Sequence, residues 1–213
     1  MNKVVLVTGG AKRIGKSICK KFHENGFSII CHYNSSEEEA ENLKKELNSV
    51  RANSIETIKF DLNDYKNYNS FCDSILKKYG KLDVLINNAS SFFSTPVNED
   101  NLSDWDDLIN SNVKGPLIIV KYFADYLKKN LGTVINLSDA MIIRGMKDYS
   151  IYSIAKGGLE TLTKSLAKEL APEIRVNAVA PGAILLPSDG SSSEETLISV
   201  SYTHLRAHET RSY

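Results

Sequence analysis

The sequence predicts an α/β fold in which a doubly wound parallel sheet carries helices on both faces. Short runs rich in β-branched residues alternate with longer amphipathic segments, the order expected of successive strand–helix–strand units with right-handed crossovers. The runs VVLV and DVLI are apolar at every position, as expected of strands that are buried on both faces. Glycines follow the first run and open the first helical segment, where such folds approach phosphate groups.

Six strands are predicted from short apolar runs that end in polar or turn residues. In chain order they are VVLVT at 4–8, FSIICHY at 27–33, SIETIKF at 54–60, LDVLIN at 82–87, GTVINLS at 132–138 and IRVNAVA at 174–180. Helices are predicted between them from amphipathic patterns over 14–25, 36–50, 64–79, 104–130 and 152–171. The polar patch SDGSSSEE at 188–195 is interpreted as a loop or the start of a helix.

The composition is that of one soluble domain without a charged partner. The 213 residues are 42% hydrophobic and 24% charged, and 26 basic residues balance 26 acidic ones. Zero net charge gives no overall field that would favour nucleic acid or an anionic membrane. Three scattered cysteines lack metal-ligand spacing, so no metal site is predicted. The N-terminal apolar run is too short for a signal peptide and no membrane-length segment follows, so a cytoplasmic location is expected.

The turn after the first strand, TGGAKRIG at 8–15, predicts contact with the phosphates of a dinucleotide. The strict glycine fingerprint is absent, because Arg13 occupies a position where glycine is common. The second strand ends in CHYNSS, without the acid that would bind a ribose 2′-hydroxyl. A 2′-phosphate would meet hydrogen-bond donors and the charges of Lys12 and Arg13 instead, which favours NADP(H) over NAD(H).

Two further stretches carry candidate site residues. The fourth strand stops at two asparagines, and Phe92 and Phe93 follow. At the carboxyl end of a strand in an open sheet, Phe92 is either a core anchor or a flat face for a flat substrate. Tyr152 and Lys156 are four residues apart and share a helix face. The ammonium group is expected to lower the tyrosine pKa from about 10, which would make Tyr152 a usable general acid.

Taken together, the glycine turn, the asparagine pair, Asn112, the Tyr-x-x-x-Lys pair and APG at 180–182 resemble the short-chain dehydrogenase/reductase family. The resemblance extends from residue 3 to about 199 and implies a Rossmann-like fold. It also implies that Asn112, Tyr152 and Lys156 are catalytic. By the same resemblance, NADP(H) is expected to contact Gly9, Lys12, Arg13, Ile14, Gly15, His32, Tyr33, Asn34, Ser35, Asp61, Leu62, Asn88, Ala89, Ser90, Lys156, Pro181, Gly182 and Ile184.

Three departures from the general family pattern resemble the pteridine reductases, which reduce dihydropterins or folates with NADPH. They are Arg13 in place of glycine, NNASSFFSTP at 87–96, and Asp139 in place of serine. The resemblance implies that Asp139 and Tyr152 serve a ring nitrogen, since an imine nitrogen needs a proton whereas a serine hydroxyl suits a ketone oxygen. It also implies that the pterin ring is held by Arg13, Ser90, Phe92 and Tyr152.

Other functions stay open at this point. One is a reductase of carbonyl substrates such as 3-oxoacyl thioesters, and another is a non-catalytic NADP(H)-binding protein. The family resemblance further implies a homotetramer in the full-length protein, formed through the helices that match 104–130 and 152–171.

The C-terminus predicts a truncated domain. Residues 1–199 are interpreted as an NADP(H)-binding reductase domain that is incomplete at its C-terminus, and 200–213 as a non-native tail. The stretch VSYTHLRAHET at 200–210 resembles a translated sequencing adapter. The chain before it has 20 lysines and four arginines, whereas the tail has no lysine, two arginines and two of the four histidines. Such a chain is expected to leave a sheet edge unpaired and apolar surface exposed, and to aggregate or be inactive.

Overall fold

The computed structural model describes residues 2–99 and 104–182, together with the backbone of 206–208. Its strands are β1 (Val4–Val7), β2 (Ser28–Tyr33), β3 (Ile55–Lys59), β4 (Val84–Asn87), β5 (Thr133–Leu137), β6 (Arg175–Ala180) and β7 (Arg206–His208). They form one sheet in the order β3-β2-β1-β4-β5-β6-β7, in which the first six strands are parallel. The predicted doubly wound α/β fold is confirmed.

Helices cover both faces of this sheet. They are α1 (Arg13–Glu24), α2 (Glu37–Val50), α3 (Tyr68–Tyr79), α4 (Trp105–Ile109), α5 (Gly115–Lys129) and α6 (Ser150–Glu169). Alternate residues of β1 enter different cores. Val5 and Val7 pack in the cluster that includes residues of α1 and α2, and Val4 and Leu6 in the cluster that includes residues of α3, α5 and α6. An apolar residue at every position of β1 is therefore required by burial on two sides. None of the helices in the described ranges has the length and apolar character needed to cross a bilayer.

The strand order reverses between β1 and β4, and this reversal places the site. The chain winds outward from β1 through β2 to β3, then returns to pair β4 with the other side of β1. Ligands of open α/β sheets bind at such a reversal, beyond the carboxyl ends of the strands. The glycine turn after β1 and the asparagines at the end of β4 meet there.

Two predicted helices differ from those observed by more than two residues at an end or by an interruption. The helix predicted over 64–79 begins only at Tyr68, because Asp64 accepts the side-chain amide of Asn67 in a preceding turn. The single helix predicted over 104–130 is interrupted by a π turn over Asn110–Lys114. Pro116 has no N–H group to continue the regular α-helical bonding pattern, and the wider turn accommodates that loss. The third difference is a short 3₁₀ helix over Ala140–Arg144, which the sequence pattern did not predict.

The predicted unpaired edge beside β6 is wrong in part. Residues 206–208 form β7, which pairs antiparallel with Ala178–Ala180. The other residues of the predicted tail, 200–205 and 209–213, lie outside the described residues. Their foreign origin stays a prediction, which sequencing of the source locus tests.

Candidate active site

The carboxyl ends of β1 and β4 meet at a glycine turn that is packed too tightly for side chains. Gly9 has a φ of +61°, which favours glycine, and a Cβ atom on Gly15 would lie 2.1 Å from the Gly9 carbonyl oxygen. A Cβ atom on Gly10 would lie 2.9 Å from the sulfur atoms of both Cys19 and Cys31. The turn therefore keeps its backbone bare before α1, as close approach of a phosphate requires.

His32 supports this turn from the neighbouring strand. The Gly9 N–H group donates to Nδ1 of His32 at 3.1 Å, and Nε2 lies 2.9 Å from the carbonyl oxygen of Phe60. Nε2 therefore carries the ring proton, and the imidazole is neutral. Burial lowers the pKa of His32 to about 4, while the hydrogen bond to Phe60 and the charge of Asp61 oppose that shift.

The neutral His32 predicts a loss of stability in mild acid. An imidazole in the unfolded chain takes up a proton near pH 6.5, but the folded state resists protonation down to about pH 4. The unfolded state thus binds more protons between these values. The contribution of His32 to the free energy of unfolding is therefore complete above about pH 6.5 and decreases by about 3 kcal/mol as the pH falls to about 4. Chemical denaturation of the unmodified protein and of a His32→Gln variant at several pH values checks this. Both proteins carry the same carboxylates, so the difference between their pH profiles reports His32 alone. A variant whose stability falls as steeply as that of the unmodified protein would contradict the assignment.

A cavity of about 300 Å³ opens beside the glycine turn. Ten residues predicted to bind the cofactor line it: Gly9, Lys12, His32, Tyr33, Asn34, Ser35, Asp61, Leu62, Ala89 and Ser90. Six further residues that were not predicted also line it: Ala11, Ser36, Asn63, Ser91, Asp107 and Ser111. The bare glycine backbone, one lysine and several hydroxyl groups suit phosphate and ribose groups, so these residues fit a nicotinamide dinucleotide. His32 lines the cavity without offering a hydrogen-bonding group to a ligand, since both of its ring nitrogens already bond the protein.

The remaining predicted cofactor residues that the structure describes are not part of the cavity wall. Asn88 donates its amide to the carbonyl oxygens of Thr8 and Gly9 at 2.8 and 2.9 Å, so it fixes the turn. Arg13 is exposed at the start of α1 with a φ of +47°, a left-handed conformation that is uncommon outside glycine. The others within the described ranges are Ile14, Gly15, Lys156, Pro181 and Gly182, and the predicted contact Ile184 lies outside those ranges.

The π turn brings Asn112 to the loop after β4. Its amide donates to the carbonyl oxygens of Ser91 and Leu108, each at 3.0 Å. Its Oδ1 atom accepts from the Ser90 hydroxyl at 2.7 Å. This hydrogen bond joins Asn112, predicted to be catalytic, directly to Ser90, predicted to bind substrate, although the two lie on separate segments.

Asp139, Tyr152 and Lys156 meet at the carboxyl end of β5. The Tyr152 hydroxyl donates to Oδ2 of Asp139 at 2.8 Å, and the other carboxylate oxygen accepts from the N–H group of Met141 at 2.8 Å. Asp139 therefore caps the short 3₁₀ helix while it holds the tyrosine hydroxyl. The Lys156 ammonium is buried, lies 5.8 Å from the centre of the Tyr152 ring, and donates to the Leu137 carbonyl oxygen at 2.8 Å.

The predicted lowering of the tyrosine pKa is wrong. Burial, followed by the negative charge of Asp139 and the hydrogen bond to it, raises the pKa of Tyr152 well above its ordinary value. Burial also lowers the pKa of Lys156 to about 8, against the opposing charge of Asp139. The sequence shows the lysine four residues away, whereas in the fold the carboxylate of Asp139 is the nearer charged partner of the hydroxyl.

This combination of a glycine turn and a buried tyrosine–lysine pair on one helix matches a known family. Residues 3–196 match the short chain dehydrogenase family. This chain belongs to that family. Its relatives include pteridine reductase 1 of Leishmania tarentolae, which is 36% identical over 87% of this chain and 78% of that protein. They also include the 3-oxoacyl-[acyl-carrier-protein] reductase FabG of Staphylococcus aureus, 34% identical over 92% of this chain and 80% of that protein.

The family resemblance predicted from the motifs is confirmed, and with it the class of chemistry. The chain is a short-chain dehydrogenase/reductase, an oxidoreductase family whose members bind NAD(P)(H) and small-molecule substrates. The two relatives have nearly the same sequence identity to this chain, although their names give different substrates.

Phe92, in the loop after β4, lies at the surface of the protein. Its side chain is 53% exposed, so Phe92 offers an accessible face instead of anchoring the core. Phe93 packs beside Leu108 and Ile151. The Phe92 ring stacks on Tyr149, with centres 4.7 Å apart and an interplanar angle of 10°. Tyr149 was missed by the sequence analysis, because no local pattern connects it with a loop more than 50 residues earlier.

Proposed function

We propose that the full-length protein reduces a dihydropterin or dihydrofolate with NADPH. The observation that carries the proposal is the 2.8 Å hydrogen bond from the Tyr152 hydroxyl to Asp139. A carboxylate at this position suits a substrate nitrogen that gains a proton, and it would repel the alkoxide that develops from a ketone. The similarity to pteridine reductase 1 supports the same assignment.

The protein residues would deliver the proton, while bound NADPH supplies the hydride. Asp139 would first take up a proton from solvent. In that form it would donate to Oη of Tyr152 through their hydrogen bond, while Tyr152 passes its own proton to the ring nitrogen. Tyr152 then need not become a free phenolate, which its raised pKa disfavours. Lys156, with a pKa of about 8, stays largely protonated at neutral pH and adds positive charge beneath the tyrosine.

Substrate orientation would depend on the exposed aromatic face. Phe92 lies edge-on to Tyr152, with ring centres 4.8 Å apart and an interplanar angle of 78°. A flat pterin that stacks on Phe92 would therefore lie close to the tyrosine. Arg13, which is exposed at the start of α1, and Ser90, which is bonded to Asn112, are the polar groups proposed to hold its edge.

A substrate panel tests the proposed function. The full-length protein is assayed for NADPH oxidation with dihydrobiopterin, dihydromonapterin, dihydrofolate and acetoacetyl thioesters. We expect turnover with at least one pterin or folate to exceed that with every thioester. Preference for a thioester would instead support the second candidate, a 3-oxoacyl thioester reductase, which the similarity to FabG favours.

The cofactor proposal predicts opposite effects of two charges near the turn. The Lys12 ammonium lies 2.6 Å from Glu39 and lowers the pKa of that carboxyl, so a 2′-phosphate would compete with Glu39 for the lysine. Glu39→Gln is expected to increase the ratio of NADPH to NADH affinity by about two- to five-fold, the scale of a surface ion pair. Lys12→Ala is expected to decrease it by about ten-fold, the scale of one charge-assisted contact.

Fluorescence titrations with each cofactor at low salt measure these ratios. Glu38→Gln is the matched control, because it removes the same charge from an exposed neighbour in the same helical turn. An equal response to Glu38→Gln and Glu39→Gln would attribute the change to general charge and refute the competition. Equal affinities for NADPH and NADH in the unmodified protein would refute the NADP(H) preference itself.

The homotetramer is also retained as a proposal for the full-length protein. Helices α5 and α6 expose large apolar side chains, with Leu117, Tyr122 and Ile154 at 41%, 37% and 53% exposure. Contact with other copies of the chain would remove this apolar surface from water.

A further inference from the structure

A short bridge joins the loop after β4 to the segment before the catalytic helix α6. Thr95 and Tyr149 form an isolated parallel β-bridge outside the main sheet. The Thr95 N–H group donates to the carbonyl oxygen of Asp148 at 2.6 Å, and the Ser94 hydroxyl donates to the same oxygen at 3.2 Å. The Ser150 hydroxyl donates in the opposite direction, to the Thr95 carbonyl oxygen at 3.5 Å. Contacts in both directions therefore connect the two segments.

Asp148 enters this bridge through an unusual backbone conformation. Its φ is +63°, in the left-handed region that glycine, asparagine and aspartate tolerate best. The Asp148 carbonyl oxygen accepts both donors from the loop. A β-branched residue is strongly disfavoured at this φ, so it would displace the carbonyl from Thr95 and Ser94.

The bridge sets the geometry of three aromatic rings. Tyr149 follows Asp148 directly and stacks on Phe92, which precedes Thr95 by three residues. Phe92 in turn lies edge-on to Tyr152. The surface proposed to stack the substrate and the hydroxyl proposed to protonate it thus belong to two segments that this bridge holds together. Misplacement by about 1 Å is enough to slow a positioned proton transfer severely.

We propose that Asp148 is a positioning residue, whose left-handed backbone fixes the 95–149 bridge and so aligns a flat substrate on Phe92 with the proton donor Tyr152. The proposal rests on the proposed pterin or folate substrate, because only a stacked ring needs this alignment. Asp148 acts through its main chain, so its side-chain carboxylate is dispensable.

A graded series of substitutions at Asp148 tests the proposal in the full-length protein. Glycine and asparagine tolerate the left-handed region, alanine less, and valine least. We expect kcat/KM for dihydrobiopterin to stay within about two-fold in Asp148→Gly and Asp148→Asn, and to fall by about three-fold in Asp148→Ala and ten-fold in Asp148→Val. Affinity for NADPH, measured by fluorescence, should be the same in all five proteins, which also shows that each is folded.

Hydrogen exchange of the Thr95 amide reads the bridge independently of catalysis. Exchange should be slow in the unmodified protein and in the glycine and asparagine variants, and fast in Asp148→Val. Fast exchange with unchanged dihydrobiopterin kinetics would overturn the positioning role and leave the pterin assignment intact. Equal losses in Asp148→Asn and Asp148→Val would overturn the main-chain argument. A protein that reduces thioesters alone would overturn the pterin substrate and this proposal together.

Discussion

Replacement of Tyr152 by phenylalanine is expected to lower pterin-dependent NADPH turnover by at least about 100-fold, the range for loss of a general acid. The variant keeps the ring, and with it the edge-on contact with Phe92, but removes the hydroxyl that donates to Asp139. The substrate can still stack while the ring nitrogen has no positioned proton donor. Initial rates of NADPH oxidation under saturating cofactor measure the effect, which should appear mainly in kcat.

Tyr149→Phe is the matched control for that experiment. It removes a hydroxyl from the residue just before α6, three positions before Tyr152, and retains the ring that stacks on Phe92. Activity within about two-fold of the unmodified protein is expected, since no proton-transfer role is assigned to this hydroxyl. If both variants lost activity equally, the proton would not be delivered specifically by Tyr152.

Replacement of Asp139 by asparagine is expected to have a comparable effect, with a loss of about 100-fold or more in turnover of a dihydropterin. Asparagine retains an oxygen that can accept from the Met141 N–H group, so the cap of the 3₁₀ helix is preserved. It removes the group that would return a proton to Tyr152. Loss of turnover with an unchanged melting temperature would therefore separate the chemical role of Asp139 from its structural role.

Asp148→Asn makes the same chemical change nine residues later and controls for loss of one negative charge from this region. An Asp139→Asn variant that reduces dihydropterin almost as fast as the unmodified protein would exclude Asp139 from proton delivery. In that case its hydrogen bond to Tyr152 would serve only to orient the hydroxyl.

The sequence predicted best what depends on local spacing. Tyr152 and Lys156 share a helix face because they are four residues apart on one helix. The apolar pattern of β1 likewise indicates burial on both sides. It predicted poorly what depends on contacts between distant segments. The stacking of Tyr149 on Phe92 follows from the bridge to Thr95, and no residue pattern near position 149 indicates that contact.

Energetic expectations failed where a local argument omitted the surroundings. Burial and Asp139 raise the pKa of Tyr152, although the sequence shows only that a lysine is four residues away. His32 lines the cavity as predicted, and both of its ring nitrogens bond the protein, which the sequence did not indicate. The break before α5 could have been anticipated, because Pro116 stands inside the segment that was predicted as one helix.

The lack of space for a side chain at Gly10 has an evolutionary consequence. Because a methyl group at position 10 would lie 2.9 Å from the sulfurs of both Cys19 and Cys31, these three positions share one fixed volume between the turn, α1 and β2. A homologue with alanine at position 10 must make room by carrying smaller side chains at 19 and 31, or by moving the first helix away from the sheet. The three positions should therefore covary across the family. Whether a substitution at one of them can be packed depends on the residues at the other two.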